Sequence, residues 1–196
     1  MRAFALALLV PAVCVAGEFN KSLKIGDPAP AWKDLPGTDG KKHSLADHAD
    51  KDVVVVVFTC NSCACSEEYE DRIIAFAQKY KGRAALVAVN VNTIPDDRLD
   101  AMKKKAEKKK FTFPYLYDET QKIARDYGAT YTPEFFVLTK DRKIAYMGAM
   151  DDRTKVDDVK ERYLELAMDA VLKGEKPAKG ETIAHGCLIR YKRTRD

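Results

Sequence analysis

The chain predicts an α/β fold, with a central mixed sheet flanked by helices, an extended hairpin lead-in before it and a tail behind it. Three features carry that expectation. Val53–Val57 followed by Phe58 is an unbroken β-branched and aromatic run, the pattern of a strand covered on both faces. Segments of helical period then alternate with short apolar runs, which favours parallel strands joined by crossover helices. Finally, the stretch from Thr130 to Gly148 supplies two strand-like runs about a Lys140-Asp-Arg142 turn, which fits an antiparallel hairpin at the end of the sheet.

The elements follow in order. Ile25–Asp47 is rich in Pro, Gly and Asp and reads as an extended lead-in with a turn at Thr38-Asp-Gly40. Behind the valine strand, Tyr69, Ile73, Phe76 and Tyr80 keep a helical period. Glu67 and Glu68 sit in the first turn of that helix, and Gly82 stops it. Ala84–Val91 is a second buried strand. Pro95-Asp-Asp97 opens a Lys-rich helix to Lys110, whose lysines read as a solvated face. Phe111–Glu119 holds a short strand, and Glu119–Ala129 a short helix stopped by Gly128. After the hairpin, Asp151-Asp152 opens the turn into a last amphipathic helix, expected over residues 153–173. Val156, Val159, Tyr163, Leu166 and Val171 form its apolar side. The domain is therefore expected over residues 25–173. The tail, residues 174–196, ends in Ala184–Arg193, which can pack as a final extended piece.

The amino terminus has another character. Arg2, the apolar run Ala3–Val10 and the small-residue exit at Ala16-Gly17 make residues 1–16 a secretory signal peptide. The protein is therefore expected to be exported, to a periplasm or outside the cell, with no stable membrane insertion once the signal is removed. The 196 residues are enough for one core. The net charge of +4, spread along the chain, gives no case for nucleic acid. No cofactor motif is present, so no cofactor is expected.

Cleavage would remove Cys14 and leave Cys60, Cys63, Cys65 and Cys187 in an oxidising compartment. Cys60-Asn-Ser-Cys63 is a C-x-x-C motif where the valine strand hands over to a helix. Free amides and the helix dipole stabilise a thiolate there, lowering its pKa from ~8.5 into the range of roughly 3.5–7.5. Cys60 is expected nearest the helix start and more exposed, hence the nucleophile, with Cys63 resolving the mixed disulfide. Cys65 and Cys187 are candidates for a resolving or a structural role, including a Cys65–Cys187 staple.

In these features the chain resembles the thioredoxin superfamily. More closely, it resembles the redoxin branch that includes alkyl hydroperoxide reductase and the thiol-specific antioxidant, peroxiredoxin-like proteins. The Ile25–Pro30 lead-in, the Asp39–Asp47 hairpin, the strand ending in Cys60 and Cys63, and Thr132-Pro133-Glu134 fall in that family's order. The resemblance implies a thioredoxin-like fold and a redox-active, antioxidant C-x-x-C. It also implies a cis Pro133 facing the cysteines, with Thr132 and Pro133 shaping a groove whose backbone pairs with an incoming extended peptide. Within that branch the chain looks most like a group of exported peroxiredoxin-like proteins, whose usual active segment reads Cys-Asn-His-Cys-Pro, whereas Ser62 and Ala64 stand here for the His and the Pro. The late Gly186-Cys187 matches the group.

The expected function is thiol–disulfide oxidoreductase, acting on protein or small-molecule disulfides with an unidentified thiol electron donor. Two alternatives stand beside it. One is a thiol peroxidase with Cys60 peroxidatic and Cys187 or Cys63 resolving. The family's peroxidases place a Thr three residues before the reacting cysteine and an activating Arg on a distant strand, while Val57 holds that position here. The other is a copper(I) carrier using the loop cysteines with His185 and Cys187. His43 and His48 read as surface residues and Trp32 as core. Glu134 is either a buried proton shuttle or an exposed strand-edge residue, and Asn61 and Ser62 tune the cysteines between which they lie.

Overall fold

A computed structural model describes residues 17–193, so the expected signal segment and Cys14 lie outside the described residues. A five-stranded mixed sheet runs in the order β5-β4-β3-β7-β8. Its strands are β3 (Val53–Phe58), β4 (Ala84–Asn90), β5 (Tyr115–Tyr117), β7 (Glu134–Leu138) and β8 (Ile144–Gly148). β3 pairs parallel with β4 and antiparallel with β7, which places the valine run at the centre. The hairpin lead-in is β1 (Leu35–Pro36) against β2 (Lys42–His43), closed through Gly40 at φ +80°.

The run of β-branched residues is explained by what covers it. Val54, Val56 and Phe58 face one core with Trp32, Leu45, Tyr127 and Phe136. Val53, Val55 and Val57 face another with Tyr69, Ile73, Phe76, Leu164 and Met168. A strand buried on both sides has no polar face to display, so no alternation is written into it. Phe58, Tyr127 and Phe136 meet edge to face at 5.0 to 5.7 Å, each pair adding about 0.5–1.5 kcal/mol beyond its area burial.

Helices α1 (Ala64–Lys79), α2 (Leu99–Lys109) and α4 (Tyr163–Leu172) contribute to the second core, and α3 (Lys122–Asp126) to the first. Residues Pro95–Asp97 form a separate 3-10 turn, because Arg98 is extended and breaks the register before α2. The last helix is shorter than the sequence suggests. It starts at Tyr163, and a 3-10 turn at Val156–Asp158 precedes it. Its buried face is Leu164, Ala167 and Met168, whereas Leu166 and Val156 are exposed. The Asp151–Asp152 turn explains the late start. Asp151 is buried in an ion pair with Arg72, and Asp152 Oδ1 accepts the Lys160 and Glu161 amides, so the chain is held in a loop to that point. Among the described residues, no helix is long and apolar enough to cross a membrane.

The tail is part of the fold. It adds along β8 through Met147 and Glu181, and the Glu181 carboxylate accepts the amides of Glu18, Phe19 and Asn20. It then crosses to a two-stranded sheet of β6 (Tyr131–Thr132) with β9 (Cys187–Leu188).

Candidate active site

The carboxyl end of β3 places the cysteines. After Phe58, Thr59 still donates to the Val89 carbonyl at 3.0 Å, and the chain then turns away over Cys60–Ser62. Asp97 makes that turn. Fully buried, its carboxylate accepts the Asn61 amide at 2.6 Å, the Ser62 amide at 3.2 Å and the Ser62 hydroxyl at 2.6 Å. Tyr115 Oη donates to Asn61 Oδ1 from below at 2.9 Å. With three donors fixed on one carboxylate, the segment between the cysteines stays out of the helix.

The helix begins at Ala64, with Glu67 in its first turn as expected, but Cys60 lies outside that start. Its N-cap is Cys63, whose Sγ accepts the Ser66 amide at 3.4 Å. This corrects the expectation that Cys60 is the exposed sulfur at the helix start: Cys60 and Cys63 are each only 3% exposed. Burial pushes the Cys60 thiol pKa up. The Thr132 hydroxyl at 3.3 Å pulls against that shift, and the Asp97 charge adds to it. A cavity of about 10 Å³ beside Cys60, bounded by Thr59, Asn61, Phe111 and Tyr115, has room for about one water.

The sign of the Cys60 shift gives a test. Alkylation of Cys60 in the reduced chain, followed by peptide mass spectrometry across pH, is expected to show a midpoint above the ordinary thiol value of ~8.5. Asp97→Asn removes the nearby negative charge and is expected to move that midpoint down. A wild-type midpoint at or below ~8.5, or an upward move in the variant, would contradict the arrangement.

Thr132-Pro133 is a cis peptide. Glu134 holds the loop before it, its Oε2 accepting the amides of Thr130 at 2.7 Å and Tyr131 at 2.9 Å. Glu134 is buried, its pKa pushed up by that burial, and it acts as a backbone clamp. Thr132 touches both motif cysteines, its hydroxyl on Cys60 and its carbonyl 3.5 Å from Cys63 Sγ.

The tail occupies the face that the cis-proline loop offers. Thr132 pairs with Cys187 and Tyr131 with Leu188, antiparallel, and the Ile189 amide donates to the Thr130 carbonyl at 2.8 Å. In that register Cys187 is disulfide-bonded to Cys63, with Cα atoms 6.2 Å apart. Among the described residues, Cys60 and Cys65 are free. The bond therefore joins neither Cys60 to Cys63 nor Cys65 to Cys187, because strand register brings Cys187 onto the N-cap sulfur. Gly186 permits this approach: a Cβ there would stand 2.2 Å from the Thr132 carbonyl oxygen.

The structure thus gathers Cys60, Cys63, Thr132, Pro133 and Cys187, with the Cys65 sulfur within 4.8 Å of those of Cys63 and Cys187. Trp32 lies in the core, and His185 is exposed. His43 pairs with Asp39 in the lead-in, and His48, near Arg142, has its pKa pushed down by burial. Among the described residues, no Arg side chain bonds a cysteine sulfur. Sequence reasoning missed Asp97, taking it as a helix opener, and missed Gln121. Gln121 Nε2 donates to the carbonyls of Val91 and Arg190, tying the tail to the sheet.

The family model described as Redoxin matches residues 24–163. A solved hypothetical protein from Sinorhizobium meliloti 1021 is 31% identical with a TM-score of 0.83, covering 89% of this chain and 98% of that one. An uncharacterized conserved protein from Geobacillus kaustophilus is 32% identical with a TM-score of 0.81, covering 88% and 94%. A chain described as thiol:disulfide interchange protein DsbE, from Chlorobium tepidum, is 28% identical with a TM-score of 0.56, covering 64% and 85%. No curated protein matches.

Proposed function

The chain belongs to the Redoxin family, and on that premise we propose that it is an exported thiol–disulfide oxidoreductase whose working bond is Cys63–Cys187. The observation that carries this reading is the placement of that disulfide, on a helix N-cap and against a cis-proline loop. Export is supported by the signal-like residues 1–16 and by the disulfide itself, which persists in oxidising compartments.

Cys63 is the sulfur best placed to be a thiolate, because the first-turn amides and the dipole of α1 act on it. In the reduced protein its thiolate attacks an external disulfide, bonds to one sulfur and expels the other as a thiolate. Cys187, held opposite by strand pairing, then attacks Cys63 Sγ and expels the second thiolate. The external disulfide gains two electrons, and the chain is left with the Cys63–Cys187 bond. Run in reverse, two external thiols reduce that bond. Cys60 is an alternative resolving sulfur, slowed at neutral pH by its raised pKa.

Because β9 fills the edge that an extended peptide would use, the partners that fit are small thiols and disulfides. Against the peroxidase alternative, no Arg side chain among the described residues bonds a cysteine sulfur. To test the exchange reading, the reduced chain is mixed with one equivalent of glutathione disulfide, quenched with an alkylating agent and mapped by peptide mass spectrometry. A glutathione adduct on Cys63 that resolves to Cys63–Cys187, and that is trapped in Cys187→Ser, is the expected result. An adduct confined to Cys60 or Cys65 would sink the reading.

A further inference from the structure

The exchange reading uses three of the four cysteines among the described residues and leaves Cys65 without a role. Cys65 is half-buried, unpaired by any disulfide, and sits in the first turn of the helix that Cys63 caps. Its sulfur and those of Cys63 and Cys187 all lie within 4.8 Å of one another. We infer that reduction of the Cys63–Cys187 bond turns this triad into a copper(I) site held by three thiolates, from Cys63, Cys65 and Cys187.

The geometry fits. With metal–sulfur bonds of about 2.3 Å, a trigonal three-thiolate site needs sulfurs about 4 Å apart. Parting the bonded pair and closing Cys65 inward therefore takes only small side-chain motions. The site also survives cleavage of the bond, because the tail has other anchors. Ile189 is buried in the core, Tyr191 Oη donates to the Ala129 carbonyl at 2.7 Å, and the Arg190 amide donates to Asn92 Oδ1 at 3.1 Å. The Arg125 guanidinium covers the Tyr191 ring at 4.4 Å. Cys187 therefore stays opposite α1 when its sulfur is free, and the ligands are pre-placed.

The donor set selects the ion. Among the described residues, the triad holds three sulfurs and no imidazole or carboxylate. Soft thiolates favour copper(I), whereas zinc takes four ligands in structural sites. His185, a ligand candidate from the sequence, is exposed and outside the triad, and Cys60 is turned to the Thr132 hydroxyl instead. A dithiol reductant supplies the two electrons and two protons that open the disulfide. Each sulfur that then binds the ion gives up its thiol proton. Disulfide and metal are alternative states of the same two sulfurs, so oxidation releases the ion.

The test is an anaerobic titration of the purified chain with copper(I) supplied as its bicinchoninate complex. The reduced chain is expected to take one equivalent, with an ultraviolet thiolate-to-copper band. The oxidised chain is expected to take none. Cys65→Ser should weaken binding by about 100-fold, the upper end of the loss expected even for residues one step removed from a metal. Cys60→Ser should bind as the parent does. Equal uptake by the oxidised chain, undiminished binding in Cys65→Ser or lost binding in Cys60→Ser would each overturn the assignment. The titration needs no turnover, so its outcome is independent of whether the exchange reading holds.

Discussion

Cys63→Ser is expected to abolish disulfide exchange, lowering turnover with glutathione disulfide by a factor on the order of 10³ or more. Two features of the site make this the largest single effect. Cys63 caps α1 and its sulfur accepts the Ser66 amide, so the free amides of the helix start stabilise a thiolate there. It is also the sulfur that Cys187 meets through strand pairing. A serine hydroxyl in its place can neither ionise nor form the bond. Cys60→Ser is expected to cost less than about tenfold, since its buried thiol is mostly protonated at neutral pH. Cys187→Ser should leave the first attack intact and accumulate the mixed disulfide. Stopped turnover in Cys60→Ser together with retained turnover in Cys63→Ser would restore the roles that the motif alone suggests.

The contrast between those two assignments marks where the sequence was legible. A five-valine strand, a helix of clear period behind it and a final hairpin are local patterns, and each formed where the pattern lies. The C-x-x-C motif was equally visible, but its phase against the helix was not. That phase depends on Asp97, which lies 35 residues beyond Ser62 and accepts three hydrogen bonds from the loop. No local rule ties a buried carboxylate to a turn that far away in the chain. The last helix was misplaced for a similar reason, since the Arg72–Asp151 pair joins α1 to the loop before it. Leu166 and Val156 keep a helical spacing yet stay exposed, so periodicity alone chose the wrong face. In the tail an extended piece was expected over Ala184–Arg193, but its pairing was not legible, because the partners of Cys187 and Leu188 lie 55 or more residues earlier.

The tail also sets the second large effect, at Gly186. Its backbone does not have the positive φ of a turn glycine, so the demand there is steric. A Cβ would sit 2.2 Å from the Thr132 oxygen, 2.6 Å from the Thr132 carbonyl carbon and 3.1 Å from the Pro133 nitrogen. All three are backbone atoms, and Glu134 clamps the loop that carries them, so they cannot swing aside as a side chain would. In Gly186→Ala, β9 is therefore expected to lift from β6 and carry Cys187 out of reach of Cys63. The oxidised variant should then lack a bond between cysteines 124 residues apart. Closing a loop of that length contributes about 5 kcal/mol by the chain-entropy account, and denaturant unfolding should show a loss near that size. Under reducing conditions the gap between variant and parent should shrink to the smaller cost of the lost strand pairing. Oxidised Gly186→Ala should also turn to Cys60 for its disulfide, a change that peptide mapping reads directly. If the variant instead formed Cys63–Cys187 in full and unfolded with the parent, the cis-proline edge would have room to spare. The tail could not then be what keeps extended peptides from it.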